Sequence, residues 1–341
     1  MRILVTGSSG HLGEGLVRVL ASQGHDVVAL DVLERAHAPT GHAGDVPRAA
    51  PPHTKIVGSI VDRALVRRAV EGVHYVLHTA TLHKPHVGSH SRQAFIDTNV
   101  TGTLNLLEEA AAAGVRGFVF TSTTSTFGRA LTPPFGAPAA WITEDVKPIP
   151  KNIYGATKMA AEDLCELVHR DHGMPVLVLR TSRFFPEGDD RDEVRSAYDD
   201  ANIKVNELLY RRVDLQDVVD AHLLAIERAK SIGFGRYIIT ATAPFSRDDL
   251  PALRLDAPSV VRRLYPDYLE IYAARGWRMF PGIERVYVND RARRELGWSP
   301  RYDFRAALDA VARGEPWSSP LAREVGAKGY HDVATGVYTV R

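Results

Sequence analysis

The chain opens with an apolar strand pattern that runs directly into a glycine-rich turn. The segment Met1-Arg-Ile-Leu-Val-Thr-Gly-Ser-Ser-Gly-His-Leu-Gly13 places glycines at positions 7, 10 and 13, before an amphipathic helix pattern. In such a turn Gly7 permits the tight bend, Gly10 lets backbone N–H groups approach a pyrophosphate, and Gly13 lets helix and strand pack closely. The pattern therefore predicts a dinucleotide site whose phosphates lie at the positive amino end of the first helix.

A carboxylate after the second strand pattern sharpens this prediction. The apolar run from Asp26 to Leu30 ends in Asp31, at the distance from Gly7 that dinucleotide folds use. A carboxylate there accepts hydrogen bonds from both hydroxyls of the adenosine ribose and repels a 2′-phosphate, so the pattern favours NAD over NADP. The alternative is a glycine-rich strand–helix turn that binds no cofactor.

The segment Tyr154-Gly-Ala-Thr-Lys158 is the second informative pattern. Residues four apart share a helix face, so the phenol and the ammonium can point into one site. The pKa of a free tyrosine is about 10, and a nearby lysine and an oxidised nicotinamide would both lower it. The alternative is an ordinary pair on a helix surface.

Composition restricts the class of partner. The chain has 42 basic and 41 acidic residues and a formal net charge of +1, so its charge indicates neither a nucleic acid nor a membrane surface as a partner. A single cysteine, Cys165, excludes an internal disulfide. We see no signal peptide and no apolar run long enough to span a bilayer. We therefore expect a cytoplasmic protein with a small-molecule substrate.

Short strand patterns alternate with longer helix patterns along the chain. Strands are expected near 2–6, 26–30, 54–57, 75–79, 117–121, 176–180 and 236–240, and helices near 12–23, 62–71, 93–113, 153–172 and 215–229. This alternation predicts an α/β fold with a doubly wound parallel (Rossmann) sheet and a ligand beyond the carboxyl ends of its strands. We expect residues 1–182 and 211–242 to form the NAD-binding domain, and 183–210 and 243–341 to form a smaller, mixed substrate-binding lobe.

Together these patterns resemble the extended short-chain dehydrogenase/reductases, the group of NAD-dependent sugar epimerases and dehydratases. The resemblance also includes Gly58-Ser-Ile-Val-Asp62, His78-Thr-Ala-Thr81, Asn99-Val-Thr-Gly-Thr103, Phe118-Val-Phe-Thr-Ser-Thr-Thr-Ser-Thr-Phe-Gly128, Val288-Asn-Asp290 and Glu295-Leu-Gly-Trp-Ser-Pro300. It covers most of the chain. It also implies a homodimer formed through the helices near 93–113 and 153–172.

The resemblance implies a role for individual residues. Tyr154 would transfer a proton, and Lys158 would act as its electrostatic partner and hold the nicotinamide ribose. Thr123 would hydrogen-bond the reacting oxygen, because it lies four positions before the aromatic-Gly pair Phe127-Gly128, and Ser122 is the alternative for this role. Cofactor contacts are expected at Gly7, Ser9, Gly10, His11, Leu12, Gly13, Asp31, Ser59, Ile60, Thr79, Ala80, Thr81, His83, Asn99, Thr121, Ser122, Tyr154, Lys158 and Thr181.

The residues after Thr123 restrict the reaction. The family's 4,6-dehydratases carry Asp and Glu there, and its decarboxylases keep the Glu, whereas this chain has Thr124 and Ser125. Dehydration and decarboxylation are therefore disfavoured. We expect an NAD-dependent epimerase-type oxidoreductase that acts by hydride transfer at a carbinol carbon of a sugar or nucleotide sugar. The alternatives are an NAD(P)-dependent carbonyl reductase or alcohol dehydrogenase on a non-nucleotide substrate, and a cofactor-sensing regulatory protein.

Departures from the family pattern concern the substrate. Arg183 replaces the usual asparagine, and it would either bind a carboxylate or phosphate or pair with the acidic run Asp189, Asp190 and Asp192. Tyr210 falls where an arginine often meets the diphosphate, although Arg211 and Arg212 follow. Substrate contacts are expected at Thr124, Ser125, Arg183 and Trp141.

Two further features leave alternatives open. The proline-rich stretch from Ala130 to Trp141 would form a hydrophobic wall over the substrate through Phe135 and Trp141, or would serve packing or a subunit contact. Eight of the fourteen histidines lie between 37 and 90, but no cysteine or matched carboxylate pattern accompanies them, so we expect no metal site.

Overall fold

The computed structural model describes residues 1–34 and 53–328, and its centre is a parallel sheet. In chain order the strands of the described residues are β1 (Arg2–Thr6), β2 (Asp26–Asp31), β3 (Thr54–Val57), β4 (Tyr75–His78), β5 (Gly117–Thr123), β6 (Ala140–Ile142), β7 (Val176–Thr181), β8 (Phe234–Ile239) and β9 (Arg285–Tyr287). Seven of them form one sheet in the order β3-β2-β1-β4-β5-β7-β8, while β6 and β9 pair separately. All pairs are parallel, which confirms the predicted doubly wound fold.

Helices cover both faces of the large sheet. In chain order they are α1 (His11–Ser22), α2 (Arg63–Ala69), α3 (Arg92–Ile96), α4 (Gly102–Ala112), α5 (Ile153–His172), α6 (Asp192–Ala197), α7 (Asp200–Glu207), α8 (Leu215–Ile232), α9 (Leu250–Leu255), α10 (Ala257–Leu264), α11 (Tyr268–Ala273), α12 (Phe304–Ala312) and α13 (Pro320–Val325). The predicted helices near 12–23, 62–71, 153–172 and 215–229 agree with α1, α2, α5 and α8. The one predicted near 93–113 is divided into α3, a π-helical turn (Asp97–Thr101) and α4.

Alternation along the strands explains the two layers. Successive strand residues point to opposite faces of a sheet. In β1, Ile3 and Val5 belong to the core on the side of α1 and α8, whereas Leu4 belongs to the core on the side of α4 and α5. The strand residues are therefore apolar on both faces, as a parallel sheet buried between helices requires.

The strand register places the chain's motifs at one edge of the sheet. Thr6 at the end of β1 pairs with His78 at the end of β4, and Thr123 at the end of β5 pairs with Thr181 at the end of β7. The loops that follow these strands consequently meet at the carboxyl edge, where open α/β sheets bind their ligands.

A second apolar core lies outside the sheet. Helices α7, α9, α10, α11 and α12 contribute buried residues to it, together with Phe280, Ile283 and Val286 near β9. In contrast, α13 packs Leu321 and Val325 into the core beside α1. The sequence pattern assigns the tail to the second lobe, but this part of it lies against the dinucleotide helix. The division into domains stays a prediction.

No helix in the described ranges combines the length and the apolar character needed to cross a bilayer. The predicted cytoplasmic location and the predicted homodimer are not tested by the fold and stay predictions.

Candidate active site

The glycine-rich turn forms a backbone cradle that admits no side chain. Gly7 has a φ of +69°, and a Cβ atom on it would lie 2.6 Å from the backbone nitrogen of Ala80. A Cβ atom on Gly13 would lie 2.0 Å from the carbonyl oxygen of Gly7. Gly10 is the N-cap residue of α1, and it lines the cavity together with the first residues of this helix, so the amino end of α1 faces the cavity. This cradle fits a pyrophosphate held by backbone N–H groups.

Asp31 closes the cradle at the end of β2. Its carboxylate accepts hydrogen bonds from the backbone N–H of Ser9 and of Leu33, each at 2.9 Å. These bonds hold the carboxylate at the wall of the cavity, where the sequence pattern predicts the adenosine ribose.

A cavity of about 910 Å³ runs along the carboxyl edge of the sheet. The predicted cofactor residues that line it are Gly7, Ser9, Gly10, His11, Leu12, Gly13, Asp31, Ser59, Ile60, Thr79, Ala80, Thr81, His83, Thr121, Ser122, Tyr154 and Thr181. Thr123, Thr124, Ser125 and Arg183 line it as well. The structure thus brings together residues from seven separate segments. Three predicted site residues, Asn99, Lys158 and Trp141, do not appear in its wall.

Asn99 holds the loop after β4 in place by hydrogen bonds. It lies buried in the π-helical turn, accepts the Leu82 N–H at 2.8 Å and donates to the Leu82 carbonyl at 2.8 Å. Its amide also bonds to Thr81 and Thr157. The prediction of a cofactor contact is therefore corrected: the bonds to Thr81 and Leu82 fix the loop after β4, and the bond to Thr157 joins the π-helical turn to α5. Thr81 in that loop is the residue that reaches the cavity.

Tyr154 and Thr123 meet because α5 begins against the loop after β5. The Asn152 side chain caps α5 by accepting the Gly155 N–H at 3.0 Å. A Cβ atom on Gly155 would lie 2.9 Å from the carbonyl oxygen of Ser125, so this helix start touches the loop directly. Burial raises the pKa of Tyr154 to about 12, while hydrogen bonding to Thr123 acts in the opposite direction. The expected lowering of the Tyr154 pKa includes the charge of an oxidised nicotinamide, and it stays a prediction.

Lys158 lies behind Tyr154, one helical turn further along α5. Its ammonium donates a hydrogen bond to the Thr121 carbonyl at 2.7 Å and lies 3.8 Å from the centre of the Phe120 ring. Burial lowers the pKa of Lys158 to about 7. The lysine is therefore held by the end of β5, and it does not line the cavity.

A buried ion pair next to Lys158 is absent from the sequence-based expectations. Glu162 lies four residues after Lys158, accepts the Ser122 hydroxyl, and pairs with Arg180 at 2.7 Å. Both side chains are at most 5% exposed. The spacing of four residues between Lys158 and Glu162 predicts that both lie on one face of α5. Their sequence does not predict the partner Arg180, because it lies on β7 and meets Glu162 only through the packing of α5 on the sheet.

His78 has a structural role. Its two ring nitrogens bond to the hydroxyls of Thr6 at 2.7 Å and Thr103 at 3.0 Å. Burial and the charge of Lys158 lower its pKa well below the usual value, so the ring stays neutral and joins β1, β4 and α4. No cluster of His, Cys, Asp or Glu suited to a metal occurs within the described ranges.

Arg183 belongs to a buried charge network. Its guanidinium donates to Asp189 at 2.9 Å and to Glu207 at 3.4 Å. Arg211 and Arg212 also pair with Glu207, at 2.6 and 2.8 Å. Of the predicted acidic partners, Asp189 is confirmed, whereas Asp190 pairs with Lys84 and Asp192 pairs with Arg195. The ion-pair alternative for Arg183 therefore holds, although the residue also lines the cavity.

The prediction of Trp141 as a substrate contact is corrected. Trp141 lies in β6, beside a separate depression of about 220 Å³, with the guanidinium carbon of Arg247 5.4 Å from its ring. Phe135 is fully exposed. The pairing of β6 with β9 holds Trp141 beside this separate depression, so Phe135 and Trp141 do not form the expected apolar wall. Leu131 and Thr132 from the same loop do line the cavity.

The sheet, the cradle and the Thr–Tyr–Lys arrangement define a dinucleotide-dependent oxidoreductase-type site. A model of the NAD dependent epimerase/dehydratase family matches residues 3–239. The chain belongs to this family, its cofactor is NAD, and the resemblance to the extended short-chain dehydrogenase/reductases is confirmed.

Individual relatives match over nearly the whole chain. The chain is 29% identical to the sterol demethylase protein B of Methylococcus capsulatus, over 92% of this chain and 98% of that protein. It is 30% identical to a UDP-glucose 4-epimerase of Lactobacillus helveticus, over 97% and 100% of the two chains. It is 32% identical to a dTDP-glucose 4,6-dehydratase of Streptomyces griseus, over 94% and 96%.

A solved structure supports the same assignment. A short-chain dehydrogenase/reductase superfamily protein from Agrobacterium tumefaciens with bound NAD superposes with a TM-score of 0.62 at 25% identity. The similarity covers 92% of this chain and 96% of that chain.

Proposed function

We propose that the protein is an NAD-dependent epimerase that inverts a carbinol carbon of a sugar, in the first instance of a nucleotide sugar. The observation that carries the proposal is the meeting of Thr123 and Tyr154 at the cavity wall, with the Lys158 ammonium held one helical turn further along α5 by the Thr121 carbonyl. The UDP-glucose 4-epimerase among the full-length relatives supports the nucleotide sugar as the substrate class.

The chain's own residues supply proton transfer and orientation. NAD, when bound, supplies a hydride acceptor and donor. The hydroxyl of Thr123 would orient the substrate oxygen, and the Tyr154 phenolate would take its proton. Burial disfavours that phenolate in the protein alone, so it needs positive charge nearby, which Lys158 provides when protonated. Asp31 would accept the ribose hydroxyls of the bound dinucleotide, and the cradle of Gly7, Gly10 and Gly13 would hold its phosphates.

The absence of a suitable acid beside Thr123 favours epimerisation over loss of water. Elimination needs a group that protonates the departing hydroxyl. Thr124 and Ser125 line the cavity at the positions next to Thr123, and neither hydroxyl is such an acid near neutral pH. Because a dehydratase is among the relatives, the experiment must distinguish epimerisation from loss of water.

A net reductase or dehydrogenase is the second candidate. Arg183 is occupied by Asp189 and Glu207, and a relative named as a sterol demethylase protein matches over almost its full length. A non-nucleotide substrate would fit both observations.

The test compares wild-type protein with Tyr154→Phe on UDP-glucose and UDP-galactose, with products separated by chromatography. We expect interconversion by the wild type without net formation of NADH. Removal of the proton-transferring group should lower kcat by about 10²- to 10⁴-fold. Tyr75→Phe is the matched control, because Tyr75 begins β4 at the opposite edge of the sheet.

The contrary outcomes separate the candidates. Stoichiometric NADH would establish a net dehydrogenase, and a 4-keto-6-deoxy product would establish a dehydratase. Full activity of Tyr154→Phe would remove the assigned proton path. NAD released from the denatured wild-type protein in near-stoichiometric amount would support an epimerase, since an epimerase retains its cofactor through the ketone stage.

A further inference from the structure

The segment after α13 and the loop after β7 (182–191) meet at the amino end of α1. The ammonium of Lys328 pairs with Glu14 in the first turn of α1, and the backbone N–H of Lys328 donates to Glu187 at 3.1 Å. Glu187, in the loop after β7, lies 2.9 Å from Nε2 of His11, the first residue of α1. These four residues join three distant segments of the chain, and we call them the bridge.

The charged groups of the bridge are buried. No side chain among its four residues is more than 9% exposed. Burial alone would raise the pKa of Glu187, but contacts with His11 and with the Lys328 N–H hold it below its usual range. Separating buried charged partners leaves each of them uncompensated, so the contacts of the bridge resist opening.

The loop after β7 also contacts the loop after β4. The ring centre of Phe185 lies 5.8 Å from that of His11 on one side and 5.8 Å from that of His83 on the other. Asp190, further along the same loop, pairs with Lys84. All five of these residues line the cavity, so the loop after β7 extends across it from α1 to the loop after β4.

The strand order places the bridge near the middle of the cofactor site. In the order β2-β1-β4-β5, Asp31 ends β2 and Thr123 ends β5, while α1 follows β1 between them. Neighbouring strands lie about 4.8 Å apart, so β2 and β5 are separated by about 14 Å. The adenosine is expected at Asp31, the reacting end at Thr123, and the phosphates at the amino end of α1. His11 and Lys328 line the cavity there, so the phosphates of NAD would lie next to the bridge.

We propose that the bridge is a latch on the cofactor site, and that NAD enters and leaves only when the contacts of Glu187 and Lys328 open. All contacts of the bridge join residues of this chain to one another, so they slow the entry of NAD as well as its departure. The latch concerns the cofactor alone and does not depend on which reaction the site performs. An epimerase, which keeps its cofactor through the ketone stage, would gain from it directly.

The test measures the exchange kinetics of NADH, whose fluorescence reports binding. Protein loaded with NADH is mixed with excess NAD in a stopped-flow instrument to give koff, and equilibrium titration of the nucleotide-free protein with NADH gives Kd and hence kon. The variants are Glu187→Gln and Lys328→Met. The control is Glu324→Gln, because Glu324 joins α13 to Arg18 of α1 at 2.8 Å but is not among the described residues that line the cavity.

Each bridge variant should raise koff by about tenfold or more, the effect typical of losing a hydrogen bond to a charged group. Because the latch has the same contacts in the free and the loaded protein, kon should rise by a similar factor and Kd should stay within about threefold. Lys328→Arg keeps the charge next to Glu14 and should exchange NADH almost as slowly as the wild type. Glu324→Gln should stay within about twofold, since half-exposed ion pairs contribute little.

Three results would overturn the latch. A koff within about twofold of the wild type in either bridge variant would mean that these contacts do not limit departure. A Kd that rises in proportion to koff, with kon unchanged, would mean that the two residues hold NAD or shape its cradle instead of closing over it. An equal increase of koff in Glu324→Gln would assign the effect to general loosening of the C-terminal segment.

The latch and the proposed reaction can fail separately. If the bridge variants speed up exchange but the wild type epimerises no UDP-sugar, the proposed function fails and the latch stands. If epimerisation occurs and the exchange rates are unchanged, the latch fails and the proposed function stands.

Discussion

The two halves of the cavity are built by different means. The cofactor half depends on backbone: Gly7 and Gly13 approach neighbouring backbone so closely that neither tolerates a Cβ atom. Its one functional carboxylate, Asp31, is itself held by backbone N–H groups. The other half, which we propose binds the substrate and call the substrate half, depends on side-chain charge, with Arg183 and Arg211 paired to the buried carboxylates of Asp189 and Glu207.

The difference teaches how each half of the site should respond to a mutation. A backbone cradle is fixed by a few consecutive residues, so altering it alters the packing of β1 against α1. A charge network joins the loop after β7, the end of α7 and the segment before α8, and each member can be replaced by a single substitution. We therefore expect cofactor binding and substrate-side stability to respond independently to mutation, as additivity for separated sites implies.

Glu207→Gln is expected to have the largest effect. Burial alone would raise the pKa of Glu207, but Arg211, Arg212 and Arg183 hold it below its usual range. Replacing the carboxylate leaves the buried guanidinium of Arg212 without a carboxylate among the described residues, while Arg183 and Arg211 keep Asp189. Breaking a buried ion pair in this way typically costs about 3–5 kcal/mol of unfolding free energy. Denaturant unfolding measures the loss.

The same variant tests the independence of the halves. Its NAD affinity should stay within about twofold of the wild type, since additivity between separated sites usually holds. Glu227→Gln on the exposed side of α8 is the matched control and should change stability by less than about 0.5 kcal/mol. A large loss of NAD affinity in Glu207→Gln would show that the two halves are coupled.

Gly13→Ala is the corresponding change in the cofactor half. The added methyl group would lie 2.0 Å from the Gly7 carbonyl oxygen, so the turn must shift away from α1. We expect the Kd for NAD to rise about a hundredfold, equivalent to about 2.8 kcal/mol, as the N–H groups move off the phosphates. Fluorescence titration with NAD measures it.

Gly88→Ala is the control for this change. A Cβ atom on Gly88 would have no neighbour within 4 Å, and Gly88 lies outside the cavity wall, so the NAD affinity of this variant should match the wild type. Equal affinities for the Gly13 and Gly88 variants would contradict the backbone origin of the cofactor site.

The cofactor half could be predicted from the sequence because its determinants are local. The sequence places Gly7, Gly10 and Gly13 in a turn between a strand and a helix, and it places Asp31 at the end of the next strand. In the structure all four residues line the cavity. Tyr154 and Thr123 are also predictable, since each lies at a fixed offset within one short segment. For these residues the regular geometry of strands and helices converts the spacing in the sequence into a position in the site.

The substrate half could not be predicted, because pairs of distant segments build it. The prediction for Trp141 is wrong because β6 pairs with β9, which lies far along the chain, and this pairing turns the ring away from the cavity. Arg285 and Tyr287 lie on β9 and line the cavity, but no motif in the sequence around them predicts that position. Glu162 lies at a helical spacing from Lys158, but its partner Arg180 follows from the packing of α5 on β7.

The smallest expected effect lies between the two halves, at Lys158. Burial lowers the pKa of Lys158 from 10.5 to about 7, so between these pH values the unfolded chain binds a proton that the native protein has released. Native stability therefore rises with pH across this window, and the pH dependence vanishes below pH 7, where both states bind the proton. Relative to Lys158→Met, which has no such proton, the wild type should gain about 1.4 kcal/mol between pH 6 and pH 8, measured by denaturant unfolding without NAD. Equal pH dependence of the two proteins would mean that the Lys158 ammonium stays protonated where it bonds to Thr121, and that its positive charge is present for Tyr154 throughout this range.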